Sequence, residues 1–106
     1  MFLIVISYIK SLDEIENHVN EHLKFLDTCY ENNFFIFSGP KKTITKKTIN
    51  GGVIFSGLKS RVQLEEILKK DPLIFRKLAK YEIIEFEPTK WLCCVQFCCD
   101  VSDLGN

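Results

Sequence analysis

The chain is 106 residues long, and its fourteen lysine and arginine residues are balanced by fourteen aspartate and glutamate residues. That length makes one domain, and a composition 46% apolar and 26% charged can build an ordinary core. With no net charge, no overall field draws the chain to nucleic acid or an acidic membrane, so such contacts would need a local patch.

The opening MFLIVISYIK is apolar for only a few residues, without a basic segment before it or a small-residue cleavage site after it. A signal peptide is therefore not expected. No run approaches the roughly 18 apolar residues of a membrane span, so a soluble, cytoplasmic protein is expected. Cys29 stands alone, while Cys93, Cys94, Cys98 and Cys99 crowd the end of the chain. A secreted scaffold spreads its cysteines to staple loops, so reduced thiols are expected here.

Residues 2–8, FLIVISY, are β-branched and aromatic and predict a strand. Both of its alternating faces, Phe2/Ile4/Ile6 and Leu3/Val5, are apolar, and such a strand must be covered on both sides. Ser11 and Glu14 form an S-x-x-E capping box. Leu12, Ile15, Val19, Leu23, Leu26 and Tyr30 then recur at spacings of three and four, which predicts one helix of about 20 residues. His22 falls within this stripe and His18 at its edge, so the imidazole of His22 is aimed towards the interior. Asn32-Asn33 ends the helix, because asparagine tolerates the left-handed conformation of a C-terminal cap.

Residues 34–38, FFIFS, predict a second strand, stopped by Ser38-Gly39-Pro40 in a sharp loop that exposes backbone amides. The loop runs over 39–50 to a turn at Asn50-Gly51-Gly52. Val53, Ile54 and Phe55 follow as a third strand, antiparallel to the second. Ser60, with Gln63 in the capping-box position, opens a helix whose stripe is Leu64, Ile67 and Leu68. Asp71-Pro72 interrupts it. Asp71 reads as the N-cap of a short helix to about Lys80, with Phe75 and Leu78 inward and Pro72 at its first position. YEIIEFEP, 81–88, is the fourth strand.

Strand-helix-strand-strand-helix-strand is the split βαβ, ferredoxin-like pattern of the α+β class. Two helices cover one face of a four-stranded sheet. The second apolar face predicts a homodimer packed sheet to sheet, since it would otherwise be a large exposed patch; the alternative is that the C-terminal tail folds over it.

In this order and spacing the chain resembles the YciI-like (YCII-related) family of small dimeric α/β-barrel proteins. The likeness rests on FLIVISY, His22 within EHLKFLD, FSGP at 37–40, Gly51-Gly52, KDP at 70–72 and FEPTK at 86–90, and covers residues 1–90 as a single domain. It implies a ferredoxin-like fold, a dimer formed through the sheets and a pocket between sheet and helices. It also implies a catalytic His-Asp pair, matched by position to His22 and Asp71, and some relatives process chlorinated aromatic compounds. Residues 91–106, WLCCVQFCCDVSDLGN, depart from the pattern and read as a structurally minor tail.

A His22–Asp71 dyad would fix the imidazole tautomer and leave the other ring nitrogen as a base. On sequence alone Asp71 reads first as a helix cap, and His22 equally as a satisfied, partly buried histidine. His18 and His22 are four apart, but H-E-x-x-H needs glutamate where Val19 stands, and no third ligand is evident, so no metal and no cofactor are expected. Ser38, Gly39 and Pro40 could present amides to an anion or simply turn the chain. Tyr8 could line the same pocket or belong to the core. Lys41, Lys42, Lys46 and Lys47 have no interleaved aromatic residues and read as a solvated loop, with no nucleic-acid partner expected. Adjacent cysteines at 93–94 and 98–99 are poorly spaced for zinc, and Cys29 reads as core.

The resulting expectation is a cofactor-independent small-molecule enzyme performing proton transfer or elimination on a small substrate, an aromatic one being what the resemblance implies. His22 is its base, Asp71 orients His22, and the Ser38-Gly39 amides bind developing negative charge. The alternatives are a non-catalytic ligand-binding module with the same pocket, and a structural partner that docks through its basic loop and tail.

Overall fold

In a computed structural model describing residues 1–43 and 48–90, the elements are β1 (Phe2–Tyr8), α1 (Leu12–Glu16), α2 (Val19–Glu31), β2 (Phe35–Lys42), β3 (Ile49–Ser56), α3 (Arg61–Leu68), α4 (Pro72–Phe75) and β4 (Ala79–Glu85). The strands form one antiparallel sheet in the order β2-β3-β1-β4. This is the α+β, ferredoxin-like arrangement, with β3 inserted between β1 and β2.

The central position of β1 explains its two apolar faces. Phe2, Ile4 and Ile6 are buried in one core with Phe35, Ile54, Ile15, Cys29, Leu64, Leu68 and Leu73. Each of the leucine, isoleucine and phenylalanine side chains among them contributes about 1.5–3 kcal/mol on leaving water. Leu3 and Val5 point the other way and share a face with Phe55 and Val53 of β3 and Ile84 of β4. Phe37 lies on Phe55 with ring centroids 4.5 Å apart, and Phe86 meets Phe55 edge-on at 5.9 Å. Phe37 is 43% and Ile84 45% exposed, so this face stays partly open among the described residues.

Caps set most of the helix boundaries. The Glu14 backbone N–H donates to Ser11 Oγ (3.4 Å) and the Gln63 N–H to Ser60 Oγ (3.2 Å). Helix α2 closes in a Schellman motif: Asn33 has φ 60°, its N–H bonds the Tyr30 carbonyl (3.1 Å), and the Phe34 N–H bonds the Cys29 carbonyl (2.9 Å).

Several boundaries differ from the sequence reading. The expected long helix is broken at Asn17-His18, where His18 leaves helical geometry at φ −123°. The break rephases the apolar stripe, so that Ile15 and Cys29 are buried while Leu12 and Leu23 are about half exposed. Helix α4 stops at Phe75 rather than near Lys80. A second Schellman motif ends it, with Lys77 at φ 59°, its N–H on the Ile74 carbonyl (3.0 Å) and the Leu78 N–H on the Leu73 carbonyl (2.9 Å). That early stop buries Leu73 and Leu78, leaves Phe75 54% exposed, and lets β4 begin at Ala79 instead of residue 81.

The largest difference lies in the β2–β3 ribbon. Ser38-Gly39-Pro40 does not end β2, and Gly51-Gly52 is not a turn. Pairing runs on through Gly39 with Val53, Pro40 with Gly52 and Lys41 with Gly51. Strand β2 is at the sheet edge, where a proline without N–H is tolerated. Lys41 therefore belongs to a strand, not a loop, and its Nζ donates to Ser7 Oγ across Gly51 at 2.6 Å. Gly51 has no room for a side chain: a Cβ there would be driven into the Ile6 carbonyl. Lys46, Lys47 and the cysteine-rich residues 91–106 lie outside the described residues. No described helix is long and apolar enough to cross a membrane.

Cys29 is a free, buried thiol, pushed up to about 11 by burial and then by the negative charge of Asp71, with Lys70 acting against them. A folded thiol that holds its proton this tightly stabilises the native state below the ordinary value of 9.0 and loses that contribution as pH rises to about 11. Unfolding titrations should show a steeper loss of stability across that window in the native protein than in Cys29→Ala. At pH 8, peptide mapping should find Cys29 unalkylated by iodoacetamide until the chain is unfolded. Equal slopes, or prompt alkylation, would contradict this account of Cys29.

Candidate active site

Two elements 49 residues apart in sequence meet behind a cavity. Asp71 is the N-cap of α4 and is fully buried. Its Oδ1 accepts the Leu73 backbone N–H at 3.0 Å. The same carboxylate receives His22 of α2, whose Nδ1 is 2.9 Å from Oδ1 and 3.0 Å from Oδ2. A buried carboxylate is costly unless hydrogen-bonded and paired, and these contacts fill that need. Asp71 is thus both cap and partner, two roles the sequence presented as alternatives. An ionised carboxylate only accepts, so Nδ1 carries the imidazole proton and Nε2 is left as the acceptor.

His22 is 18% exposed and opens onto a cavity of about 470 Å³ between α2 and the sheet, a size ordinary for small-molecule sites. Val19, Leu23 and Leu26 form its helical wall, and Ile6, Ile54 and the side-chain-free Gly51-Gly52 form its floor. Tyr8, Ser38, Gly39 and Pro40 also line it, so five of the six residues singled out in the sequence border one space, with Asp71 behind His22. Tyr8 ends β1. Burial, and secondarily the charge of Asp71, raise its phenol above the ordinary 10.0, so it is a hydrogen-bond donor at neutral pH.

The sharp loop expected to expose amides at Ser38-Gly39 does not form. The run is extended strand, no described glycine has positive φ, and Pro40 has no N–H. Ser38 contributes its side chain instead. The two histidines bind different carboxylates, His18 Nδ1 lying 3.2 Å from Glu21 Oε1. Among the described residues no group of three His, Cys, Asp or Glu side chains is placed to hold a metal ion.

The sequence profile of the YCII-related domain matches residues 1–87. The chain belongs to the YCII-related family. No curated protein matches it in sequence. Among solved structures, it is similar to 5-chloro-2-hydroxyhydroquinone dehydrochlorinase from Burkholderia phenoliruptrix AC1100 in complex with 2,5-dihydroxybenzoquinone. The TM-score is 0.67 at 15% identity, covering 82% of this chain and 94% of the other; at that identity the likeness is one of fold. The YCII-related match includes both His22 and Asp71.

Two features of this YCII-related site were missed from sequence. The Tyr30 hydroxyl donates to Ser38 Oγ at 2.7 Å. Tyr30 was read only as part of an apolar stripe, although a stripe tyrosine usually finds a polar partner for its hydroxyl. Glu21, next to His22, is bonded by His18 and also by Arg76 at 3.2 Å, and these bonds, His18 first, hold its carboxyl below its ordinary value. The Glu21–Arg76 pair links α2 to the end of α4, but it is exposed, and such pairs contribute little.

Proposed function

We propose that this YCII-related protein is a cofactor-independent enzyme that performs proton transfer or elimination on a small hydroxylated aromatic compound. The observation that carries this reading is the buried Asp71 carboxylate on Nδ1 of His22, which leaves Nε2 as the base at a cavity. Nε2 takes a proton from the ligand, and Asp71 stabilises the imidazolium that results. Tyr8 and Ser38 donate hydrogen bonds to the oxygen on which negative charge grows, while Gly39 and Pro40 complete the wall. In an elimination, the electron pair released with the proton expels the leaving group as an anion, so no oxidant is needed. The dehydrochlorinase of similar fold supports this substrate class.

The test is chloride release from chlorinated hydroxyhydroquinones. His22→Gln should reduce it by about two to four orders of magnitude while circular dichroism stays native. Release unaffected by His22→Gln would refute the assignment. Ligand binding without any release would favour the second reading, a non-catalytic binding module, which the largely apolar lining of the cavity also suits.

A second copy would cover the outer face of the sheet, centred on Leu3, Val5, Phe55 and Ile84. Light scattering at micromolar concentration should give twice the 12.3 kDa chain mass, and Phe55→Glu should return it to 12.3 kDa. A native mass of 12.3 kDa would instead favour the tail as cover. We place the protein in the cytoplasm, a reading supported by the free thiol of Cys29.

A further inference from the structure

Ser38 faces the helices only because β2 is irregular. Phe35 pairs with Ser56, but the register shifts before Phe37 pairs with Phe55, so Ile36 is an extra residue in the ladder. Without that bulge, residue 37 would face the helices and Ser38 the outside. With it, Ser38 lies opposite Ile54 on the helix side, bordering the cavity.

Tyr30, in the last turn of α2, meets it there. Its ring stands edge-on to Phe35 (centroids 6.2 Å apart, planes at 83°), and its hydroxyl donates to Ser38 Oγ. A serine hydroxyl has one hydrogen and two acceptor sites. With Tyr30 donating to one acceptor site, Ser38 does not spend its hydrogen on Tyr30 and can direct it, beside one remaining acceptor site, into the cavity; a hydroxyl that accepts a bond also donates more strongly. Thus a fixed acceptor, His22 Nε2, comes from the helix wall and an oriented donor comes from the sheet wall. A phenol that gives its proton to His22 spreads the resulting charge through its ring. When the ring bears a conjugated carbonyl, much of that charge arrives on the carbonyl oxygen, where a donor is most effective.

We propose that Tyr30 is a positioning residue that locks Ser38 as a hydrogen-bond donor, so that the cavity selects hydroxylated rings bearing a conjugated carbonyl oxygen over simple phenols. This rests on the reading of the cavity given above.

The test compares 4-hydroxybenzaldehyde with 4-methylphenol, which lacks the carbonyl, by NMR-detected binding to the full chain. Tyr30→Phe keeps the ring contact with Phe35 and should weaken 4-hydroxybenzaldehyde about five- to tenfold, the effect of one neutral hydrogen bond, with little change for 4-methylphenol. In a Ser38→Ala background the same substitution should have no further effect. If Tyr30→Phe weakens both ligands equally, or still acts without Ser38, the positioning role is wrong while the cavity reading stands. If neither ligand binds the native protein, or His22→Gln alters neither affinity, the cavity reading itself fails and this inference fails with it.

Discussion

Asp71→Asn should lower turnover by about two to four orders of magnitude while leaving the fold intact. The amide can keep its oxygen on the Leu73 N–H, preserving the cap now made by Oδ1. It then presents its NH₂ to His22 Nδ1, which can meet a donor only by becoming an acceptor. The imidazole proton must move to Nε2, and the nitrogen at the cavity changes from base to donor. Asp71→Ala removes the cap as well, leaving the buried Leu73 N–H and the part-buried His22 Nδ1–H without a partner. That variant should lose about 3 kcal/mol of stability and melt roughly 15 °C lower. ¹⁵N imidazole spectra separate the two effects: the native protein should show an unprotonated Nε2 and Asp71→Asn an unprotonated Nδ1. Matching spectra and equal turnover would leave Asp71 as a helix cap only.

Gly51→Ala should be the most damaging single-methyl change in the sheet. The added Cβ points into the Ile6 carbonyl of the neighbouring central strand, where backbone cannot yield without parting β1 from β3. We expect about 3 kcal/mol of destabilisation, seen as a lower midpoint in urea with an unchanged slope. Gly39→Ala is the control. A Cβ there meets nothing within 4 Å, so it should be neutral or slightly stabilising through reduced freedom of the unfolded chain. Similar midpoints for the two variants would contradict the strand pairing assigned to Gly51.

These two glycines show where local reading stops. In sequence, Gly39 before Pro40 and Gly51 beside Gly52 carry the chemistry of turns, yet both lie within paired strands. Glycine also occurs where another backbone approaches closely, and only the position of Ile6 separates that case from a turn. Lys77 is the opposite error. It occupies a left-handed position that glycine or asparagine normally marks, so α4 gave no sign of where it ends.

The sequence by itself determined the order of elements, the split βαβ class, the family, the caps at Ser11, Ser60 and Asp71, and the stop at Asn32-Asn33. These depend on side chains acting on backbone a few residues away, or on apolar periodicity, and both are written locally. It also singled out His22 and Asp71. Only the tertiary structure decided that they touch across 49 residues, that Ser38 borders the cavity from within a strand and not from a loop, and that Tyr30 bonds to it. Those facts depend on a bulge at Ile36, a helix break at Asn17-His18 and an early stop at Lys77. Each shifts a register by a residue or a turn, and the energy that selects it comes from packing against segments far away in the chain.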